Sequence, residues 1–213
     1  MVHVKICGIT TEEAAKTAIE SGADFLGFVF YPKSPRYLSL DSASNLIASL
    51  PNTIAKVGLL VDPHDEDIEG LIGNKSFDYI QLHGNETPER VEEIKSRHPE
   101  IGIIKSLSIA RESDVKATEK YNSETIDWFL FDAPAANLPG GNGDPFDWNL
   151  VKSAQIKKPW FLAGGLNADN VQDAIHIAHA NGVDVSSGVE CEPGKKDLKK
   201  IKEFIAAAKN SSS

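Results

Sequence analysis

A cysteine at the end of the first predicted β-strand is the residue of this chain with the clearest capacity for chemistry. In residues 2–10, apolar residues alternate with His3, Lys5 and Cys7, which is the pattern of a strand with one polar face. A cysteine reacts as its thiolate, and a neighbouring ammonium group such as that of Lys5 lowers the thiol pKa from about 8.5. Cys7 is therefore a candidate nucleophile or proton acceptor, and a buried structural thiol is the alternative.

Asp132 is the candidate partner of this thiol. It ends an apolar strand pattern at residues 129–131 and precedes a glycine-rich loop at residues 139–143. An aspartate in this position could be a helix cap or a solvated loop residue, but opposite Cys7 across one cavity it would complete an acid–base pair. The glycine-rich loop is typical of a lid that excludes water when it closes.

Two segments late in the chain predict a phosphate site. Gly164 and Gly165 follow one apolar run, and Ser186, Ser187 and Gly188 follow the next. Glycines allow the backbone to approach an anion closely, free backbone N–H groups bind its oxygens, and serine hydroxyls add donors. The alternatives are a tight turn and a plain strand end, but the position favours phosphate as the ligand group.

Arg36 and His83 are the candidate contacts for the rest of a ligand. Arg36 lies in a loop stiffened by prolines, residues 31–37, where its guanidinium could hold a carboxylate through two parallel hydrogen bonds. A solvated loop arginine is the alternative. His83 shares a strand face with Tyr79 and Gln81, so it is a substrate contact, a residue that supports such contacts from behind, or a polar core histidine.

Eight short apolar segments, separated by helix-sized stretches, predict the elements that position these residues. The segments begin near Val2, Phe25, Thr53, Tyr79, Ile101, Asp127, Pro159 and Val183. Nearly continuous apolar runs such as residues 25–30 are typical of parallel strands covered on both faces. The sequence therefore predicts the α/β class and a (β/α)8 TIM barrel. An open doubly wound sheet usually has fewer strands and a glycine-rich fingerprint after the first one, which this chain lacks.

The barrel prediction explains why these candidates belong to one site. Active residues of such barrels lie at the carboxyl ends of several strands, and the loops after strands seven and eight commonly bind phosphate. Cys7, Arg36, His83 and Asp132 follow strands one, two, four and six, and the glycine and serine segments follow strands seven and eight.

Composition limits the class of protein. The 213 residues are 41% hydrophobic and 25% charged, as expected for one globular domain over residues 1–213. The net charge of −9 argues against a nucleic-acid surface, and no apolar run approaches the roughly 20 residues that span a bilayer. Cys7 and Cys191 do not resemble a disulfide framework, so we expect a reduced, cytoplasmic protein. No His, Cys and carboxylate spacing predicts a metal site. A homodimer and a monomer both remain open.

The order of these motifs resembles the phosphoribosylanthranilate isomerases of tryptophan biosynthesis, from the first strand to the last helix. The resemblance is carried by residues 5–10, 22–24, 27–28, 34–37, 57–59, 81–84, 132, 140–143, 146–148, 163–166 and 184–190. It implies a single (β/α)8 barrel and a small phosphosugar substrate.

The same resemblance implies a reaction and roles for the site residues. The reaction is an Amadori rearrangement of N-(5-phosphoribosyl)anthranilate to 1-(2-carboxyphenylamino)-1-deoxyribulose 5-phosphate, without metal or organic cofactor. Asp132 would be the general acid that opens the sugar ring, and Cys7 the general base that removes the proton from the adjacent carbon. Arg36 would bind the anthranilate carboxylate.

One residue departs from the family pattern. Asn142 stands in the glycine-rich loop where we expect Thr or Ser.

Two other functions stay open at this point. A related phosphosugar barrel, such as a histidine-pathway isomerase or a ribulose-phosphate epimerase, would ordinarily need a carboxylate or metal ligands where Cys7 stands. A catalytically silent barrel that acts as a binding module would keep its partner when Cys7 or Asp132 is replaced.

Overall fold

Eight parallel strands close into a barrel in chain order, with β1 paired to both β2 and β8. The computed structural model describes residues 2–73, 76–121, 124–134, 147–152 and 156–210. The strands are β1 His3–Cys7, β2 Phe25–Val29, β3 Ala55–Leu60, β4 Tyr79–Leu82, β5 Gly102–Ser108, β6 Trp128–Asp132, β7 Trp160–Leu162 and β8 Gly182–Val185. The predicted (β/α)8 barrel is confirmed, and the third strand begins two residues later than predicted.

Helices follow the strands around the outside of the barrel. Those in the described residues are α1 Glu12–Glu20, α2 Leu40–Ile47, α3 Asp65–Gly73, α4 Pro88–Arg97, α5 Glu112–Val115, α6 Asn149–Lys152, α7 Val171–Ala178 and α8 Leu198–Asn210. Short 3-10 helices occupy Lys116–Lys120 and Ser187–Val189. The longest described helix, α8, has 13 residues, and none in the described ranges is long and apolar enough to cross a membrane.

Local capping signals set several helix starts. Thr11 accepts a hydrogen bond from the backbone of Ala14 at 3.3 Å, and Thr87 caps α4 with a proline in its first turn. α2 begins at Leu40 because Ser39 is its cap. α7 begins at Val171 because the Asn167 side chain first accepts two backbone N–H groups in a turn.

The amino-terminal end of the barrel is closed by aromatic side chains. Phe25, Tyr79, Trp128 and Phe161 project inward near the starts of their strands and form one cluster. Trp128 stacks on Phe161 with ring centroids 4.4 Å apart, and Phe25 meets Phe161 edge-on at 5.1 Å. Because this end is filled, the open cavity lies at the opposite end, where the strands carry their carboxyl-terminal residues.

An antiparallel hairpin follows β8 and was not predicted. Its strands are β9 Glu190–Glu192 and β10 Lys195–Lys196, and Gly194 turns the chain between them with φ of +83°. The hairpin returns the chain to the barrel, so that Lys196 is buried beside the carboxyl end of β8. It thereby adds a charged residue to the open end of the barrel.

Candidate active site

One pocket at the carboxyl ends of the strands contains all the predicted site residues. It is open at its mouth, and the space between its walls, open solvent included, is about 650 Å³. The predicted residues that line it are Cys7, Arg36, His83, Asp132, Gly164, Gly165, Ser186, Ser187 and Gly188. They come from six different β/α units, because the carboxyl ends of parallel strands meet at one rim. Their individual chemical roles stay predictions.

The Cys7 side chain and the Lys5 ammonium group meet at Gly27. Cys7 is the last residue of β1 and is only 5% exposed, and Lys5 lies on the same face two residues earlier. A Cβ atom on residue 27 would lie 2.9 Å from Cys7 Sγ and 3.2 Å from Lys5 Nζ. The glycine therefore leaves the gap in which thiol and ammonium come together. Lys5 Nζ also donates to Asp184 Oδ1 at 2.8 Å.

The charges around Cys7 do not lower its pKa overall. Burial raises the pKa of the Cys7 thiol, and the Asp184 carboxylate raises it further, while the cations of Lys5, Lys196 and Arg36 oppose both. The net pKa lies above its ordinary value. The expected lowering by Lys5 is present, but burial outweighs it, so the resting pocket holds the neutral thiol at neutral pH.

Lys5 stays charged in this buried position. Burial alone lowers the pKa of Lys5, but attraction to Asp184 and Cys7 and their hydrogen bonds outweigh it, and the net pKa is raised. The side chain is fully buried, so its ammonium group depends on Asp184 for compensation. Lys5 therefore places a charged ammonium group, paired with Asp184, next to the thiol.

Asp132 ends β6 and is 8% exposed. Its Oδ1 accepts the backbone N–H of Ala133 at 2.9 Å, and its Oδ2 lies 3.4 Å from His83 Nε2. The other ring nitrogen, His83 Nδ1, lies 2.8 Å from Gln81 Nε2. The carboxyl group thus accepts one backbone hydrogen bond and lies close to the imidazole of His83, and both His83 nitrogens contact protein groups.

The loop after β7 can approach β6 closely because it contains glycine. Gly164 has φ of +83°, and a Cβ atom there would lie 2.6 Å from the backbone nitrogen of Ala133. Gly165 follows with φ of +67°. The two glycines therefore bring the start of this loop next to Asp132.

The segment after β8 presents backbone donors to the same pocket. Ser186 Oγ donates to the carbonyl of Cys7 at 3.1 Å, which joins this segment to β1. The 3-10 helix Ser187–Val189 begins directly afterwards, so its first N–H groups have no partner inside the helix. Within the described ranges, the N–H groups of Gly165, Ser187 and Gly188 donate to no protein acceptor. Such a set of free N–H groups suits an anion.

Comparison with known proteins assigns the family. The family model for N-(5'phosphoribosyl)anthranilate (PRA) isomerase matches residues 4–207. The chain belongs to this family. The N-(5'-phosphoribosyl)anthranilate isomerase of Paracoccus denitrificans (strain Pd 1222) is 47% identical over 210 residues, which cover 97% of each chain.

Solved structures of the isomerase family agree with this assignment. The crystal structure of the Thermotoga maritima isomerase matches with a TM-score of 0.87 and 39% identity, covering 99% of this chain and 100% of that one. A phosphoribosyl anthranilate isomerase in complex with reduced 1-(o-carboxyphenylamino)-1-deoxyribulose 5-phosphate matches with a TM-score of 0.85, the same identity and the same coverage.

Arg36 lies in this isomerase pocket, but its guanidinium is already paired. Its Nε and Nη2 atoms donate to the two carboxylate oxygens of Glu190 at 2.7 and 2.8 Å. The two parallel bonds that we expected toward a ligand are thus made to the protein, and Nη1 has no partner among the described residues. The pairing fixes the guanidinium at the pocket wall.

Sequence reasoning did not assign a role to Glu190 or to Lys196. Lys196 Nζ donates to Glu190 Oε1 at 2.8 Å and to the carbonyl of Ser186 at 2.9 Å. Burial lowers the pKa of Lys196, although the attraction of the Glu190 carboxylate acts in the opposite direction. Burial alone would raise the pKa of Glu190, but hydrogen bonds from Arg36 and Lys196 outweigh it and hold that pKa below its ordinary value. No spacing in the sequence indicates this cluster, because the hairpin that carries Lys196 has no apolar pattern.

The remaining sequence expectations concern the cysteines, the potential metal ligands and the glycine-rich loop. Both cysteines are free, Cys7 buried and Cys191 exposed. In the part of the chain that the structure describes, no group of three or more His, Cys, Asp or Glu side chains is arranged to hold a metal ion. Asn142 and the glycine-rich loop lie outside the described residues.

Proposed function

We propose that this pocket catalyses the isomerisation with Asp132 as general acid and Cys7 as general base. Membership of the family makes the chain an isomerase of tryptophan biosynthesis. The reaction rearranges N-(5-phosphoribosyl)anthranilate to 1-(2-carboxyphenylamino)-1-deoxyribulose 5-phosphate. The observation that carries the assignment of roles is that the thiol and the carboxyl group line one pocket beside an anion site.

The two anionic ends of the substrate fix its orientation. The phosphate binds the N–H groups of Gly165, Ser187 and Gly188, and the anthranilate carboxylate lies against the free edge of Arg36. A relative holds reduced 1-(o-carboxyphenylamino)-1-deoxyribulose 5-phosphate, which carries the same two anionic groups and supports this orientation. Gripping both ends places the sugar carbons between Cys7 and Asp132 and removes much of the entropic barrier.

The first step opens the sugar ring. Asp132 donates its proton to the ring oxygen, the bond from C1 to that oxygen breaks, and the nitrogen lone pair forms a cationic imine with C1. The resulting Asp132 carboxylate keeps the N–H group of Ala133 as a hydrogen-bond donor. A hydrogen bond to the charged form stabilises that carboxylate.

The second step moves a proton from C2. The cationic imine acidifies the C2–H bond, so the Cys7 thiolate removes this proton and the electron pair forms a C1–C2 double bond. The imine nitrogen is thereby neutralised, and the enolamine tautomerises to the ketone. A thiol with a raised pKa gives few thiolates at neutral pH, but each is a stronger base.

A fluorescence assay of phosphoribosylanthranilate consumption by the purified protein tests the proposal. We expect turnover by the wild type and losses of about 100-fold or more for Cys7→Ser and Asp132→Asn, with folding unchanged by circular dichroism. No turnover by the wild type at high enzyme concentration would reject the catalytic reading in favour of a silent binding module. Turnover that survives both substitutions would reject the two roles.

A further inference from the structure

The side chain of Gln81 is fully buried inside the barrel and contacts the histidine beside Asp132. Gln81 Nε2 lies 2.8 Å from His83 Nδ1 and 3.1 Å from Ser106 Oγ. Gln81 Oε1 is buried too and has no hydrogen-bond partner among the described residues. Mechanisms built on Cys7 and Asp132 alone leave this amide without a role.

The hydrogen-bond partners of the Gln81 amide nitrogen and oxygen determine which way the amide group is oriented. As placed, both N–H groups of Gln81 have acceptors and only the oxygen is unsatisfied. In the flipped orientation the oxygen would accept from His83 and Ser106, and two buried N–H groups would lose their partners. Each unsatisfied buried polar group costs free energy, so the first orientation is favoured.

This orientation decides which ring nitrogen of His83 carries the proton. Because Gln81 Nε2 is a donor, His83 Nδ1 must be the acceptor, and the proton of the neutral ring lies on Nε2. Nε2 in turn lies 3.4 Å from Asp132 Oδ2, which is longer than an ordinary hydrogen bond. Contacts in an active site commonly shorten to hydrogen-bond distance when substrate binds.

We propose that Gln81 and His83 are positioning residues for Asp132, and that His83 is not a substrate contact. Gln81 holds the imidazole with its proton on Nε2, and this N–H group orients the carboxyl group and stabilises the carboxylate that remains after proton donation. No proton moves on His83 in this step. The proton leaves Asp132 for the ring oxygen, and the catalytic consequence therefore rests on the general-acid role proposed for Asp132.

The first test is independent of turnover. The nitrogen-15 resonances of the His83 ring in the wild-type protein, assigned by their loss in His83→Gln, report which nitrogen is protonated. We expect an unprotonated Nδ1 and a protonated Nε2, and a mixture of tautomers in Gln81→Leu. A wild-type ring protonated on Nδ1 overturns the inference, whatever the activity of the enzyme.

The second test separates positioning from substrate binding. We expect Gln81→Leu and His83→Ala to lower kcat by about 10- to 100-fold with little change in KM, because the acid is less well held. His83→Gln, whose amide can present an N–H group near the Nε2 position, should recover much of the loss. A rise in KM with unchanged kcat in His83→Ala overturns the inference and makes His83 a substrate contact.

A failure of the proposed function and a failure of the role of Gln81 and His83 give different results in these two tests. If the wild type shows no isomerase activity, the proposed function fails, and the tautomer measurement still decides the arrangement of Gln81 and His83. If Gln81→Leu does not fold, the wild-type spectrum and the comparison of His83→Ala with His83→Gln remain decisive. An active enzyme in which His83→Ala and His83→Gln lose kcat equally contradicts the role of the N–H group.

Discussion

Replacing Gly27 by alanine tests whether the contact between thiol and ammonium matters for catalysis. The new Cβ would lie 2.9 Å from Cys7 Sγ, 3.1 Å from Cys7 Cα and 3.2 Å from Lys5 Nζ. An ordinary van der Waals contact begins at 3.4 Å, so the sulfur must move by at least about 0.5 Å. The Cα atom of Cys7 belongs to a paired strand, so the side chains must absorb most of this movement.

The expected losses follow from that displacement. A misplacement of about 1 Å can cost about 100-fold in rate, so we expect kcat of Gly27→Ala to fall by about 10- to 100-fold. The added methyl group overpacks the barrel interior, which lowers the free energy of unfolding by about 1–3 kcal/mol. Alanine also restricts the unfolded chain more than glycine does, and this regains less than about 1 kcal/mol. Separation from Lys5 also raises the pKa of Cys7 further, since this ammonium group is the cation that lowers that pKa most.

The matched control is Gly102→Ala at the start of β5. A Cβ there overlaps the ring of Tyr79, so this variant is also overpacked, but at the end of the barrel away from Cys7. Steady-state kinetics and urea unfolding of both variants should show a stability loss in each and a large kcat loss only in Gly27→Ala. Equal kcat losses in the two variants, or wild-type kcat in Gly27→Ala, would refute the reasoning.

Three further predictions concern charge. Because the pKa of Cys7 is raised, the thiolate absorbance that is lost in Cys7→Ser should appear only above the ordinary thiol pH range; a thiolate signal at neutral pH would contradict this. Asp184→Asn should lower the pKa of Cys7 and move this thiolate titration to lower pH, and Lys5→Met should move it to higher pH; shifts in the same direction would exclude the electrostatic cause. Asp184→Asn should also lower the free energy of unfolding by about 3–5 kcal/mol, because it leaves the buried Lys5 ammonium group unpaired. The pKa of Glu190 is lower in the folded protein than its unfolded value of about 4.3. The Glu190 carboxylate therefore stabilises the fold above that pH, and this contribution is lost as the pH falls through the folded pKa. Glu190→Gln should be less stable at neutral pH and should show a smaller loss of stability at acid pH in urea unfolding; an unchanged loss would contradict this.

Much of the fold could be predicted because its signals are local. Strand segments are continuous apolar runs, and residues such as Thr11 and Thr87 cap the helices that follow them. Two predicted helix-sized stretches contain only four-residue α-helices in the described residues, Glu112–Val115 and Asn149–Lys152. In the first of these stretches the chain continues directly as the 3-10 helix Lys116–Lys120.

The candidate site could be predicted as a set of residues, but its contacts could not. Residues at the carboxyl ends of parallel strands must share one rim, so Cys7, His83 and Asp132 were found from strand ends alone. The bond from Arg36 to Glu190 joins positions 154 residues apart, and the bond from Lys5 to Asp184 joins positions 179 residues apart. No local pattern encodes such pairs.

The sequence by itself determined the alternation of strands and helices, the closed barrel and the identity of the residues at its rim, because hydrophobic period and capping act over a few neighbours. Only the tertiary structure decided the protonation of the site. Burial sets the direction of the Cys7 pKa against three nearby cations, and the buried amide of Gln81 selects the His83 tautomer. Both effects depend on how completely the closed barrel excludes water, and that exclusion exists only once all eight strands are in place.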